Sequence, residues 1–169
     1  MQGKEDVRSG LTNDPTQHYC CVVLPALTTE GLLPPGIHLA EWGEVYAAFG
    51  TTSHRRRLLD GFRRAIKALK IAGCKKAYLD GSFVTSKDKP GDFDGCWEEA
   101  DVDPYLLDPI LLTFDNGRIA QKIKFGGELF PAGSNADSSG SIFIDFFQIH
   151  KDTGAAKGII AIDLERLQP

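Results

Sequence analysis

Apolar positions recur along this chain at two different periods. Leu58, Leu59, Phe62, Ala65, Ile66 and Leu69 fall at helical spacing, with Gly73 as a stop, and predict a helix over 54–73. Leu39, Trp42, Val45, Tyr46 and Phe49 repeat that spacing and predict a shorter helix ending at Gly50. Between them, Thr51, Thr52 and Ser53 suit the cap of the second helix. The rest reads as extended chain. "KAYLDG" (76–81) and "DFDGCW" (92–97) are expected to be strands, separated by the loop "SFVTSKDKPG". In "ILLTFDNGRIAQKIKF" (110–125), Ile119, Gln121, Ile123 and Phe125 alternate with smaller or charged residues behind Asn116-Gly117. That pattern predicts a hairpin.

The Gly- and Ser-rich 126–141 reads as a flexible loop, and "IFIDFFQIH" (142–150) as a strongly apolar strand. "IIAIDLERL" closes the chain as a strand or short helix. "CVVLPAL" (21–27) is a short strand or extended packing segment, and Pro34, Pro35 and Gly36 make "LLPPGIH" (32–38) a rigid turn. The expected fold class is α+β: a small mixed β-sheet with helices packed mainly on one face. Residues 1–20 are expected to form a flexible lead-in and 21–169 a single domain.

The 169 residues suffice for one domain with a real core. A net charge of −4 argues against a general electrostatic grip on nucleic acid. No apolar run reaches the roughly 18 residues of a membrane helix. The polar start of the chain has no apolar core like that of a secretory signal, so the expected location is cytoplasmic. Cys20, Cys21, Cys74 and Cys96 form no C-x-x-C pair and are expected to be reduced, mostly buried thiols.

Charge does change the picture locally. Nine of the 19 Lys and Arg lie between Arg55 and Lys76. They form either a solvated helix face or a docking surface, helix 54–76, for RNA or an acidic partner protein.

The densest chemistry lies in "YLDGSFVTSKDKPGDFDGCW" (78–97). Asp92 and Asp94 are two apart on a strand, so both point to one face, about 7 Å apart. Such a pair repels unless it is solvated or a cation sits between. Hard divalent ions such as Mg²⁺ prefer oxygen ligands of this kind. Asp145, a lone carboxylate in an apolar strand, needs a partner or a metal. If its strand lay beside 92–97, the three aspartates would converge. Gly81 lets a phosphate approach the backbone, and Ser82 and nearby N–H groups can donate to it. Lys87 and Lys89 lie in the intervening loop. Each part has a bland counterpart: an ordinary turn, aspartates bonding their own backbone, a paired core aspartate. Their order and spacing favour a metal–triphosphate cradle.

The pattern Gly81-Ser82, Asp92-Phe93-Asp94 and a later Asp145 resembles the signature of the nucleotidyltransferase superfamily, typified by DNA polymerase beta and the minimal nucleotidyltransferases of prokaryotes. That resemblance covers some 20 residues plus Asp145. The wider string "LPPGIH … YLDGSFVT … PGDFDG … FFQ" is also similar to an uncharacterised, nucleotidyltransferase-related prokaryotic family, from about residue 24 onward. The resemblance implies a nucleotidyltransferase-like fold and transfer of an NMP from an NTP to an RNA, protein or small-molecule acceptor. Gly81 and Ser82 would hold the β- and γ-phosphates. Asp92 and Asp94 would bind two Mg²⁺, and Asp145 would share one and help deprotonate the acceptor. Departures are the Gly95-Cys96-Trp97 continuation and Asp80, an extra negative charge beside Gly81.

No acceptor-binding domain is evident, which leaves room for a partner protein, as in toxin–antitoxin pairs. The alternative is a catalytically silent binding module on the same fold, such as an antitoxin-like partner. Hydrolysis with Ser82 as nucleophile is disfavoured, because there is no G-x-S-x-G elbow and His18, His38, His54 and His150 are scattered.

Overall fold

The structure, a computed structural model, describes residues 24–168. The lead-in 1–20 and the thiols Cys20 and Cys21 lie outside the described residues. Among the described residues, five strands form one mixed sheet: β1 (Gly36–Leu39), β2 (Lys76–Asp80), β3 (Phe93–Trp97), β4 (Gly127–Pro131) and β5 (Gly158–Asp163). Their order across the sheet is β1-β5-β2-β3-β4. β2 runs antiparallel to both β3 and β5, while β1 is parallel to β5 and β4 to β3. The chain is therefore α+β with a mixed sheet.

Helices α1 (Trp42–Phe49) and α2 (Ser53–Ile71) follow the first strand. The Thr52 hydroxyl accepts the Arg55 N–H and so caps α2, as its sequence suggests. The apolar stripe of α2, with Leu59, Phe62, Ala65, Ile66 and Leu69 all fully buried, packs with Val45 and Phe49 of α1. Alternation on the strands turns Ala77, Leu79, Phe93, Trp97, Ile160 and Ile162 toward it. A smaller cluster of Tyr78, Cys96, Phe130, Phe147, Ile159 and Ala161 lies on the opposite face of the sheet. Cys74 and Cys96 are free and buried. Among the described residues no helix is long and apolar enough to cross a membrane.

Several expectations are corrected. Segment 110–125 is not a hairpin. It is a 3-10 turn (Pro109–Leu112) followed by α3 (Asp115–Phe125). Asn116, Gly117 and Arg118 have left-handed backbones, and beyond them the chain coils instead of returning as a strand. The i, i+4 pair Gln121 and Phe125 is buried, and the i, i+4 pair Ile119 and Ile123 is exposed. The buried Gln121 amide oxygen accepts the Leu129 N–H at 2.9 Å, which ties α3 to β4.

Second, loop 126–141 begins with β4. Gly127 makes this possible: a Cβ there would come within 2.4 Å of the Phe93 carbonyl oxygen on the neighbouring strand. Third, 142–150 is not a strand. It contains a single helical turn, α4 (Phe143–Phe146), set against the second sheet face by Phe143 and Phe147. A short apolar run fits either conformation. At the front of the domain, 24–27 forms no strand but packs Leu24 and Leu27 against the core, residues 36–39 of the expected turn and helix start are strand β1, and α1 begins at Trp42.

Candidate functional site

The same alternation that sends Leu79 and Phe93 into the main core sends Asp80 and Asp94 to the second face. Strand register then sets Asp80 opposite Asp94, and Asp94 opposite Glu128 of β4. Three carboxylates form one row across three adjacent strands, which lie about 4.8 Å apart. Asp92 stands two residues before Asp94. Like charges directly opposite one another destabilise a sheet unless cations intervene.

The ends of the row have cations. Lys157, just before β5, pairs with Asp80, and both side chains are buried. Arg118 and Lys122 of α3 both pair with Glu128, and the Lys122 ammonium also reaches Asp92 at 3.0 Å. Those carboxylates raise the Lys122 pKa, Glu128 most strongly. Asp94, in the middle, makes no ion pair or side-chain hydrogen bond among the described residues. Its carboxyl is pushed up to about 6, first by burial and then by the charges of Asp92, Glu128 and Asp80, with Lys122 opposing. Burial raises the Asp80 carboxyl too, against the pull of Lys157.

Gly81 starts a 3-10 turn, Gly81–Val84, at the end of β2. Its φ is +77°, and a Cβ there would lie 2.1 Å from Asp94 Oδ2. Glycine is thus required twice, for the left-handed backbone and for room beside the carboxylate. The turn is held from behind by Arg55, which is 3% exposed. Its guanidinium donates to the carbonyls of Phe49 and Lys87, each at 2.7 Å, and to that of Phe83. It also lies over the Phe83 ring at 4.4 Å. Arg55 is therefore no part of a solvent-facing basic surface, whereas Arg56, Arg57 and Arg64 on the same helix are exposed.

Gly81, Ser82, Lys87, Asp92 and Asp94 all line one cleft of about 750 Å³, together with Asp80 and Lys157. Two expected residues are not part of it. Lys89 is exposed and off the cleft lining. Asp145 is exposed on α4 and does not line the cleft either, because its segment coils instead of pairing with β3. Of the three expected aspartates, the structure brings Asp92 and Asp94 to the cleft and not Asp145. Glu128 is the carboxylate that the sheet sets beside Asp94, buried and itself off the cleft lining.

Carboxylate oxygens are the donors a hard divalent cation takes, and among the described residues Asp94 has no ion-pair partner of its own. Among the described residues no three His, Cys, Asp or Glu side chains gather closely enough to hold a metal. The Lys122 ammonium lies between Asp92 and Glu128. It occupies the position, between two carboxylates, that a cation of higher charge would compete for.

The chain belongs to DUF6932, a family of unknown function. The family's model matches residues 25–163, which takes in the sheet, the acidic row and Lys157. No curated protein and no solved structure matches the chain. Membership of DUF6932 assigns no chemistry, so function rests on the geometry of the cleft.

Four residues in and around this site carried no expectation from the sequence: Glu128, Lys122, Arg118 and Lys157. For Glu128 the signal was present. "GELFP" sets a lone carboxylate in an apolar stretch, the same anomaly that drew attention to Asp145. Lys157 in "AAKGIIAID" is likewise a charge at the mouth of an apolar strand. Lys122 and Arg118 carried no such mark, because a hairpin would have placed them in solvent.

Proposed function

We propose that this protein is a Mg²⁺-dependent nucleotidyltransferase with a nucleotidyltransferase-like fold, moving an NMP group from an NTP to an acceptor hydroxyl. The observation that carries the reading is the pair Asp92 and Asp94 beside the Gly81-Ser82 turn in one cleft, with Glu128 set opposite Asp94 on β4. Glu128, buried and off the cleft lining but opposite Asp94, is the proposed third carboxylate in place of Asp145. Magnesium held by these carboxylates would neutralise charge on the attacking and leaving oxygens at the α-phosphorus. The chain supplies the rest. Gly81 lets phosphate oxygens approach the backbone, and Ser82 and Lys87 donate to them. Lys157 neutralises Asp80, which would otherwise repel the triphosphate. Arg55 keeps the turn from shifting. The acceptor oxygen bonds to the α-phosphorus, the bond to the β-phosphate breaks, pyrophosphate leaves, and the acceptor's proton passes to the acidic row.

The acceptor is an RNA, a protein or a small molecule. The exposed arginines of α2 are the proposed surface for RNA or a partner protein, as in a toxin–antitoxin pair. One observation favours a second reading, a catalytically silent binding module: Lys122 and Arg118 already neutralise Asp92 and Glu128 without a metal. Incubation with Mg²⁺, cell extract and NTPs labelled at the α or γ position separates the two. Label carried only from the α position supports transfer. Label only from γ indicates a kinase-like reaction, and no label from either favours the silent module.

A further inference from the structure

The cleft has two chemically different walls. One carries Asp80, Asp92, Asp94 and the Gly81-Ser82 turn. The other comes from the segment running from Phe146 to Asp152. Two of its residues are apolar and open: Phe146 is 41% exposed and Ile149 49%, and both line the cleft. The core does not need them there, because Phe143 and Phe147 already fill the second sheet face.

Ring geometry singles out Phe146. Phe130 and Phe143 stack at 4.0 Å and 14°, and Phe114 stacks on Phe130 at 10°. Phe146 instead meets Phe143 at 76° and Phe147 at 65°. It is parallel to neither, and it borders a polar cleft. Aromatic rings gain most from an offset or edge contact with another π-system. Phe146 already has edge contacts with Phe143 and Phe147, and a planar heterocycle entering the cleft would add an offset-stacked one.

The two walls are fixed to each other. The Lys157 backbone N–H donates to the Gln148 carbonyl at 2.8 Å, and its ammonium holds Asp80 on the facing wall. The Gln148 side chain donates to the Ile144 carbonyl at 3.0 Å, and the His150 N–H to Ala155 at 2.8 Å. Phe146 is therefore presented at a set position relative to the phosphate-binding turn. A volume of about 750 Å³ accommodates a ligand of nucleotide size.

We propose that Phe146, flanked by Ile149, is the stacking platform for the nucleobase of the NTP. This rests on the nucleotidyltransferase reading and deepens it. A ligand with polyphosphate at one end and an aromatic heterocycle at the other uses both walls, whereas an inorganic polyphosphate or a sugar phosphate uses only one.

Calorimetric titration with Mg²⁺ and each of the four common NTPs, and separately with inorganic tripolyphosphate, tests this on the full chain. Wild type is expected to bind at least one NTP about tenfold or more tighter than tripolyphosphate, the scale of one base–aromatic stack. Phe146→Ala and Phe146→Leu should lose that advantage and keep tripolyphosphate affinity, which also shows that they are folded. Phe146→Trp should retain it. NTP binding at wild-type strength by both Phe146→Ala and Phe146→Leu overturns the platform and leaves the nucleotidyltransferase reading standing. So does equal wild-type affinity for NTP and tripolyphosphate. Wild type binding neither ligand overturns the nucleotidyltransferase reading, and the platform with it.

Discussion

The two faces of the sheet are built from the same strands and differ in almost everything else. Toward α2, β2 and β3 present Ala77, Leu79, Phe93 and Trp97 to a closed apolar core. On the reverse, the same two strands present Tyr78, Cys96, Asp80 and Asp94 to a thinner layer and an open cleft. Every second residue therefore serves packing, and the intervening ones are free to serve chemistry. The first face gains from burial. The second carries a row of like charges that costs stability wherever a cation is missing. A side chain from each face should respond in its own way when altered.

The largest effect is expected on the core face. Phe62 is fully buried and meets Phe93 edge-on at 5.1 Å, so Phe62→Ala should cost about 3–5 kcal/mol in a urea unfolding experiment. On the cleft face, Lys157→Met leaves Asp80 buried without its cation and should cost a similar 3–5 kcal/mol. Adding Asp80→Asn should recover most of that loss. Lack of recovery would show that the two side chains do not act as a pair.

Asp94→Asn should do the opposite of a core substitution. The Asp94 carboxyl titrates near 6 in the folded protein, against 3.8 ordinarily. The folded state therefore favours the protonated form, and stability is lost as pH rises through about 6. At pH 8 in EDTA the variant should be more stable than wild type by up to roughly 3 kcal/mol. The gain should vanish near pH 4, and nucleotidyl transfer should be lost. A variant of equal stability at pH 8 would contradict the account of an uncompensated charge. The smallest effect belongs to Asp145→Ala, which should shift stability by less than about 0.5 kcal/mol and leave transfer intact, because Asp145 is exposed and off the cleft.

The faces also differ in how far the sequence revealed them. The α2 stripe, β2, β3 and the Gly81-Ser82 turn were legible because period and spacing are local properties. Residues 110–125 misled because Asn116-Gly117 suits a hairpin turn and Ile119 and Ile123 alternate like a strand. The tertiary structure instead buries Gln121 and Phe125, which are one helical turn apart. The 142–150 run was too short and too apolar for its period to separate strand from helix. That one ambiguity decided the third carboxylate. Which acid stands beside Asp94 depends on the register of β4 on β3, a long-range pairing that no local pattern encodes.

The central claim is that Asp92, Asp94 and Glu128 form the cation-binding edge of an NTP site. The most direct measurement is calorimetric titration of wild type, Glu128→Gln and Asp145→Asn with NTP in the presence of Mg²⁺. Binding by wild type and Asp145→Asn, with loss of it in Glu128→Gln, is the result expected from the acidic row. Undiminished binding by Glu128→Gln, or its loss in Asp145→Asn, would contradict it.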